Sequence, residues 1–243
     1  MLASSGCRAY PAAMDNRFAG KLYSRILHKY FVRDLWFELQ MDAKREAIAF
    51  IKEHMTGAAM RRDRMDLLRF GLESGRAAHP EGLVCEFGVS AGKTLRFLAG
   101  QTRGSVHGFD AFEGLPEEWR GTLEKAGAFS RAGRLPRVPA NAQLHVGWFD
   151  QTIPAFLDAH PGPAALLHLD ADIYSSTKTA LTLMTPRIRP GTVFVFDEYY
   201  AYWGWREHEH KALSEWVAET GARIAYHGFA ANNGQVAVRV EAI

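Results

Sequence analysis

The sequence predicts an α/β fold in which a mostly parallel, seven-stranded sheet carries helices on both faces. From residue 82 onward, short apolar segments rich in β-forming residues alternate with helical or loop segments. Such alternation is typical of parallel strands that are buried on both faces. Before residue 82, apolar residues recur every three or four positions and no strand stands out, which predicts a helical N-terminal extension over residues 1–80.

The predicted elements follow a simple order along the chain. Three helices are predicted in the extension, over residues 17–40, 42–55 and 60–74. Five apolar strands come next, over residues 83–87, 105–109, 142–146, 165–169 and 192–196. Helical or loop segments lie between and after these strands, over residues 93–99, 151–159, 176–188 and 207–220. The last two strands, residues 223–227 and 235–240, are close enough in sequence to form an antiparallel pair at one edge of the sheet.

Composition and charge exclude several classes of protein and of binding partner. The 243 residues are 47% hydrophobic and 23% charged, which is typical of a globular chain and not of a disordered one. The 29 Lys and Arg residues nearly balance the 27 Asp and Glu residues, so we expect neither nucleic acid nor a membrane as a partner. There are two cysteines, Cys7 and Cys85, and no signal segment stands out, which predicts a cytoplasmic protein without a disulfide scaffold.

A glycine-containing turn, EFGVSAGKT from Glu86 to Thr94, follows the first predicted strand of the sheet. Gly88 and Gly92 permit a tight turn and the close approach of a ligand to the backbone. Free N–H groups at the start of the next helix favour a negatively charged ligand group. A phosphate loop needs four residues between its first glycine and its Gly-Lys pair, whereas three separate Gly88 from Gly92, so the spacing argues against a nucleotide hydrolase.

Two other interpretations of this turn stay open. GVSAG satisfies the G-x-S-x-G pattern of a nucleophile elbow, which would make Ser90 the nucleophile of an α/β hydrolase. The alternative is a nucleoside-binding turn, because Asp110 ends the next predicted strand and an acid at that place can accept both ribose hydroxyls. Ser90 stands where a dinucleotide turn needs its middle glycine, which weighs against NAD. The turn then resembles the first motif of class I S-adenosylmethionine (SAM) methyltransferases.

Acidic residues follow the fourth and fifth predicted strands of the sheet. Asp170 and Asp172 come after the fourth strand, and Asp197 and Glu198 come directly after the fifth. In a class I methyltransferase sheet these two strands are neighbours, so the resemblance implies that up to four carboxylates converge beside the cofactor, at the carboxyl ends where ligands bind. Clustered carboxylates need a cation or a proton, and oxygen ligands suit Mg²⁺ or Mn²⁺. The alternative role of a single acid is to cap the helix that follows its strand.

Five phrases of the sequence together resemble the macrocin O-methyltransferase (TylF-like) family: CEFGVSAGKT, GFDAFEGLPEEW, HVGWFDQTIP, LLHLDADIYSST and FVFDEYYAYWGWREHEHKA. The phrases stand in the family's order over residues 82–240. The resemblance implies a class I methyltransferase domain with a Rossmann-like fold over residues 81–243. It also implies SAM-dependent methyl transfer to a hydroxyl of a small-molecule acceptor, of the sugar or natural-product type, with Mg²⁺ as a second cofactor.

The resemblance also assigns site residues by their position in these phrases. Cofactor binding falls to seven residues at the glycine turn and the next two strand ends: Glu86, Gly88, Gly92, Thr94, Asp110, Phe112 and Trp148. Metal binding falls to Asp170, Asp197 and Glu198, and Asp172 is the expected general base. Several family members carry Asp-Asp where this chain has Asp197-Glu198. A non-catalytic SAM- or nucleoside-binding protein is therefore a further alternative, besides the hydrolase.

Three features outside these motifs carry expectations of their own. The charge run of Arg61, Arg62 and Arg64 predicts a solvated helix face. Aromatic residues crowd residues 199–205, where they either line an acceptor site or pack in the core. The helical extension serves as a lid or in the assembly of a homodimer or larger homo-oligomer, and the sequence does not choose between these roles.

Overall fold

The computed structural model describes residues 34–243. The chain divides into two compact units, Met1–Met41 and Asp42–Ile243, and the second unit holds the sheet and all of the predicted site residues. Most of the helix predicted over residues 17–40 lies outside the described residues, as does Cys7. In the described part of the chain, no helix combines the length and the apolar character that crossing a membrane requires.

The described helices and strands alternate as the sequence predicts. The helices are α1 (Leu35–His54), α2 (Arg64–Ala78), α3 (Lys93–Gln101), α4 (Phe149–Ala159), α5 (Tyr174–Met184) and α6 (Glu209–Thr220). The strands are β1 (Ala59–Arg61), β2 (Leu83–Phe87), β3 (Val106–Asp110), β4 (Ala142–Val146), β5 (Ala164–Leu169), β6 (Val193–Phe196), β7 (Arg223–Ala230) and β8 (Val236–Ala242). Single 3₁₀ turns lie at Thr185–Arg187 and Trp205–Glu207.

The described strands form one sheet in the order β1-β7-β8-β6-β5-β2-β3-β4. Strand β8 runs antiparallel to both of its neighbours, and the other pairs are parallel. The predicted β7–β8 pair is therefore present. The sheet has one strand more than the seven predicted, because β1 occupies the edge beyond β7.

Strand β1 overlaps the start of a segment that the sequence analysis interpreted as a helix over residues 60–74. Its three residues are too few for a period-2 pattern to show. Helix α2 begins instead at Arg64, because Asp63 has an extended backbone and its side chain accepts a hydrogen bond from Asp66 N at 3.0 Å. Residues 59–78 lie within the predicted extension of residues 1–80, yet they contribute an edge strand and a helix that packs on β5 and β6.

Helices cover both faces of the sheet. Side chains on both faces of the central strands are therefore buried, and nearly every residue along these strands is apolar. One buried cluster joins α1, α4, α5 and α6 to the sheet and includes Phe50, Phe156 and Trp216. A second cluster joins α2 and α3 to the sheet and includes Leu68 and Leu95. Every residue of β5 is buried, as expected for a central strand of an α/β sheet.

The order of the strands reverses between β2 and β5. From β2 the chain continues outward to β3 and β4, and it then returns to place β5 on the other side of β2. In open α/β sheets a crevice forms at such a reversal, outside the carboxyl ends of the strands. The predicted site residues Gly88, Asp110, Asp170 and Asp197 all stand at or directly after those ends.

Candidate active site

A cavity of about 560 Å³ lies at the carboxyl ends of the central strands. Its lining includes residues that end or follow five different strands, β2 to β6: Gly88, Ser90, Asp110, Trp148, Asp170, Asp172 and Glu198. Trp119 and Phe129, from the long segment between β3 and β4, also line it. The fold thus brings the glycine turn and most of the acids that the sequence singles out to one cavity.

The glycine turn passes very close to the loop that follows β5. Gly88 has a φ of 92°, and a Cβ atom on it would lie 1.7 Å from the carbonyl oxygen of Asp170. No residue with a side chain fits this position, because both the backbone conformation and the available space exclude one. Gly92 is also left-handed and caps α3, but it lies outside the cavity lining.

Asp110, the predicted ribose acid, fixes the shape of the glycine turn. Its Oδ2 accepts hydrogen bonds from Val89 N at 2.8 Å and from Ser90 N at 2.7 Å, and its Oδ1 accepts one from Phe112 N at 2.6 Å. Phe112 contributes this N–H while its ring is buried away from the cavity. Because Oδ1 accepts only one of these bonds, Asp110 keeps a free acceptor position and still lines the cavity.

Glu86 and Thr94, which the resemblance assigns to the methionine end of the cofactor, lie buried below the cavity. Glu86 Oε1 accepts a hydrogen bond from Thr94 Oγ1 at 3.0 Å, and its Oε2 lies 3.1 Å from His168 Nδ1. The pairing follows from the sheet register, in which Glu86 of β2 is the partner of His168 on β5. Neither Glu86 nor Thr94 is among the residues that line the cavity.

His168 joins Glu86 to the acids behind the cavity. Its second ring nitrogen, Nε2, lies 3.5 Å from Asp197 Oδ1, and all three side chains are almost completely buried. Burial lowers the pKa of His168, but the hydrogen bonds with Asp197 and Glu86 outweigh burial and raise the pKa to about 10. His168 is therefore an imidazolium held between two carboxylates.

Arg64 is the second cation of this cluster, and its position shows that the predicted solvated face is wrong for this residue. Its Nη2 lies 2.5 Å from Asp170 Oδ2, and its Nε lies 2.9 Å from Asp197 Oδ1. The guanidinium thus bridges the acids that follow β5 and β6. Arg62, two residues earlier, is 80% exposed at its side chain, so it is solvated as predicted, but it precedes the helix.

The acids divide into two groups with opposite pKa shifts. Burial raises the pKa of Asp197, but the hydrogen bond and charge of His168 and the charge of Arg64 bring it below its ordinary value. Burial and then the charges of neighbouring acids raise the pKa of Asp172 and of Glu198 well above their ordinary values. The cavity-facing acids are therefore only partly neutralised by the protein's own cations.

Three of the cavity-facing acids are close enough to share an ion. Asp170, Asp172 and Glu198 each place one oxygen within 4.8 Å of the others, and all three line the cavity. Asp197 belongs to a second group, with Asp170 and His168. Since His168 is protonated and Asp197 is held by two cations, the first group is the better set of oxygen ligands for a divalent ion.

Most of the aromatic residues after β6 pack in the core. Tyr199, Tyr200 and Trp205 are buried, and Tyr199 and Trp205 surround Phe50 of α1. Tyr202 is partly buried and packs edge-on against Trp119, with ring centroids 5.5 Å apart. The core interpretation therefore holds for the first three, and Tyr202 belongs to the surroundings of the cavity.

Sequence reasoning missed three residues of the acid cluster. Arg64 was assigned to solvent, His168 was treated as a strand residue, and Glu209 of α6 was not singled out. Glu209 is fully buried, and its Oε2 accepts a hydrogen bond from Glu198 N at 3.0 Å. Burial and the charge of Asp197 raise the pKa of Glu209 well above its ordinary value. The signal for His168 was its place in an otherwise apolar strand, where a polar side chain needs a partner.

Comparisons with known proteins agree with this geometry. Residues 85–199 match the family model described as a methyltransferase domain. A curated relative from Streptomyces olivaceus, 8-demethyl-8-(2,3-dimethoxy-alpha-L-rhamnosyl)-tetracenomycin-C 4'-O-methyltransferase, is 32% identical over 162 residues. The match covers 56% of this chain and 60% of the relative, so this chain spans less than two thirds of that protein's length. The family match favours the methyltransferase interpretation of the glycine turn over the hydrolase.

Two solved structures show the same fold at 20% sequence identity. The calicheamicin methyltransferase CalS11 superposes with a TM-score of 0.56 over 98% of this chain and 99% of that chain. The O-methyltransferase NovP superposes with a TM-score of 0.55 over 73% of this chain and 79% of that chain. These matches confirm the predicted fold class. Residues 85–199 are therefore similar to a methyltransferase domain, and the described residues share the Rossmann-like fold of these two structures.

Proposed function

We propose that this chain is a SAM-dependent O-methyltransferase that transfers a methyl group to a hydroxyl of a small molecule of the sugar or natural-product type. One observation carries the proposal: a single cavity of about 560 Å³ contains both the glycine turn and the acids after β5 and β6. A nucleoside site and a group of proton-accepting oxygens are therefore adjacent. The relative and the two neighbours named above support the same reaction class.

The cofactor end of the proposed site is built from the turn after β2 and the ends of β3 and β4. Asp110 offers its remaining acceptor position to a ribose hydroxyl, and Gly88 lets the turn lie against the Asp170 backbone while it lines the same cavity. Trp148 follows β4 and lines the same cavity, where its ring can pack against the adenine. Glu86 and Thr94 do not line the cavity; their hydrogen bond would support the turn and would not contact the cofactor.

The proposed chemistry needs one proton acceptor. The acceptor oxygen attacks the methyl carbon of the sulfonium, the S–CH₃ bond breaks and its electron pair stays on sulfur, and the hydroxyl proton passes to Asp172. Positioning supplies much of the rate, because the sulfonium already activates the methyl group. Asp172 suits the role of base because it lies in the cavity beside Asp170 and Glu198, with its backbone held at a φ of 62°.

The residues present fit a divalent cation. Six carboxyl groups meet in this region: Glu86, Asp170, Asp172, Asp197, Glu198 and Glu209. Within residues 34–243, the cations that contact them are Arg64 and His168. Asp170 and Glu198 are the proposed ligands, with Asp172 close enough to serve as a third. When bound there, Mg²⁺ would lower the pKa of the acceptor hydroxyl and orient it. Asp197 would support this set from behind.

A second cavity of about 500 Å³ shares Trp119 and Glu198 with the first. Its lining includes Tyr200 and Tyr202, and aromatic walls of this kind suit the ring of a sugar or of a phenol. The two cavities meet at the acids, so we assign the larger one to the cofactor and the second one to the bulk of the acceptor.

Asp172→Asn tests this proposal, with Asp158→Asn, an exposed acid on α4, as the matched control. We expect the wild type to bind S-adenosylhomocysteine in a calorimetric titration, and to release it from SAM in the presence of a glycoside or phenol acceptor. The asparagine variant at position 172 should keep binding and lose turnover. Loss of Mn²⁺ binding in the same variant would make Asp172 a ligand and not the base.

Three outcomes would contradict parts of the proposal. A wild-type protein that binds no S-adenosylhomocysteine is not a SAM-dependent enzyme. A protein that binds it but turns over no acceptor of the panel is the non-catalytic binder that the sequence left open. Normal turnover in the Asp172→Asn variant would remove Asp172 from the mechanism.

A further inference from the structure

The guanidinium of Arg64 lies between two acids of the cluster, Asp170 and Asp197. Its Nη2 and Nε bind Asp170 and Asp197 at 2.5 and 2.9 Å, so one planar group bridges the acids at the ends of neighbouring strands. Arg64 is the first residue of α2, and the side chain of Asp63 fixes that helix start. The position of this cation is thus set by the fold, and Arg64 is not a flexible surface residue.

Two of the three metal ligands that the resemblance implies are therefore already paired with a cation of the protein. An arginine keeps its charge at every accessible pH, so protonation does not relieve this pairing. A divalent ion that binds Asp170 approaches a fixed positive charge, and like charges at such distances repel strongly in a partly buried site. The same ion gains Asp197 as a ligand only when Arg64 releases it.

We propose that Arg64 is a built-in counter-ion of the acid cluster, and that it competes with the divalent ion for Asp170 and so sets the affinity of the metal site. The inference rests on the metal site of the proposed function. It makes Arg64 a positioning residue, because its contacts are with the acids and it does not line the cavity. Arg64 holds Asp170 and Asp197 together, and loss of its charge frees Asp170 for the ion.

The test is a calorimetric titration of the full chain with Mn²⁺ alone, without SAM. Arg64→Gln removes the charge, Arg64→Lys keeps it without the planar fork, and Arg62→Gln is the matched control on the same segment. We expect the glutamine variant to bind Mn²⁺ about tenfold more tightly than the wild type, or more. The lysine variant should bind within about threefold of the wild type, and the control variant should not differ from it.

A second measurement covers the case in which Arg64→Gln weakens the fold. The melting temperature of each protein is measured with and without saturating Mn²⁺, and we expect the glutamine variant to gain much more than the wild type, because the ion replaces the lost cation. If that variant is unfolded both with and without Mn²⁺, the ion does not substitute for the guanidinium and the proposal is wrong.

Other outcomes also overturn the proposal that Arg64 competes with the ion. Mn²⁺ affinity that is unchanged or weaker in Arg64→Gln, or Mn²⁺ binding by neither protein, excludes competition at this site. Binding of S-adenosylhomocysteine is measured on the same samples. If it persists while the Mn²⁺ result fails, the role of Arg64 is refuted and the cofactor part of the proposed function stands. If it is absent from the wild type, the proposed function fails whatever the Mn²⁺ result shows.

Discussion

Glu86→Gln is expected to reduce the free energy of unfolding by about 3 kcal/mol. Glu86 and His168 are both fully buried, and Oε2 lies 3.1 Å from Nδ1. Removing one partner of a buried ion pair costs about 3–5 kcal/mol, because the other charge stays buried without compensation. The low end applies here because His168 keeps Asp197 at 3.5 Å, and because the amide oxygen of glutamine can still accept the hydrogen bond from Thr94.

The assay is urea unfolding followed by tryptophan fluorescence, with linear extrapolation to water. Glu81→Gln is the control, because Glu81 is exposed just before the same strand, and it should change the free energy by less than about 0.5 kcal/mol. A loss below about 1 kcal/mol in Glu86→Gln, together with lost binding of S-adenosylhomocysteine, would refute the structural role. Glu86 would then act on the cofactor directly, as the sequence resemblance implies.

Two further predictions concern the turn and the far side of the sheet. Gly88→Ala should abolish binding of S-adenosylhomocysteine and destabilise the fold by several kcal/mol, because the added methyl group would lie 1.7 Å from a backbone oxygen. Gly57→Ala is the control, because a methyl group there has no heavy atom within 4 Å, and this variant should bind normally. Burial, followed by the charges of two neighbouring histidines, lowers the pKa of His107 to about 4, below its ordinary 6.5. The unfolded chain therefore takes up this proton first, so about 3 kcal/mol of stability, complete above pH 6.5, is lost as pH falls toward 4. His107→Leu should flatten that part of the stability profile, and an unchanged profile would contradict the assignment.

Local patterns were sufficient to predict the architecture and to place several candidate site residues at one edge of the sheet. Alternating apolar strands and helices gave the parallel sheet, and the rule that ligands bind at carboxyl strand ends placed Gly88, Asp110 and Asp170 together. Strand β1 was not predictable in this way. Its three residues have no pattern of their own and exist as a strand because they pair with β7, far away in sequence.

The roles of individual polar residues were harder to predict, because they depend on contacts between distant segments. Arg64 belongs to a run of three arginines and lies 106 positions before Asp170, so sequence spacing gave no reason to distinguish it from Arg62. Asp197 and Glu198 are adjacent and were assigned one role. The structure gives them different partners, since Asp197 binds two cations whereas the backbone N–H of Glu198 binds Glu209.

His168 shows how such a contact can be recovered from a sequence. A histidine within an apolar central strand cannot reach water, so it needs a hydrogen-bond partner on a neighbouring strand. In a parallel sheet that partner stands beside it in the register, and Glu86 is the acid that β2 places there. Once Glu86 is committed to His168, its carboxylate is no longer available to the cavity. The register therefore indicates that Glu86 supports the acid cluster and does not bind the cofactor. The Glu86→Gln experiment distinguishes these two roles.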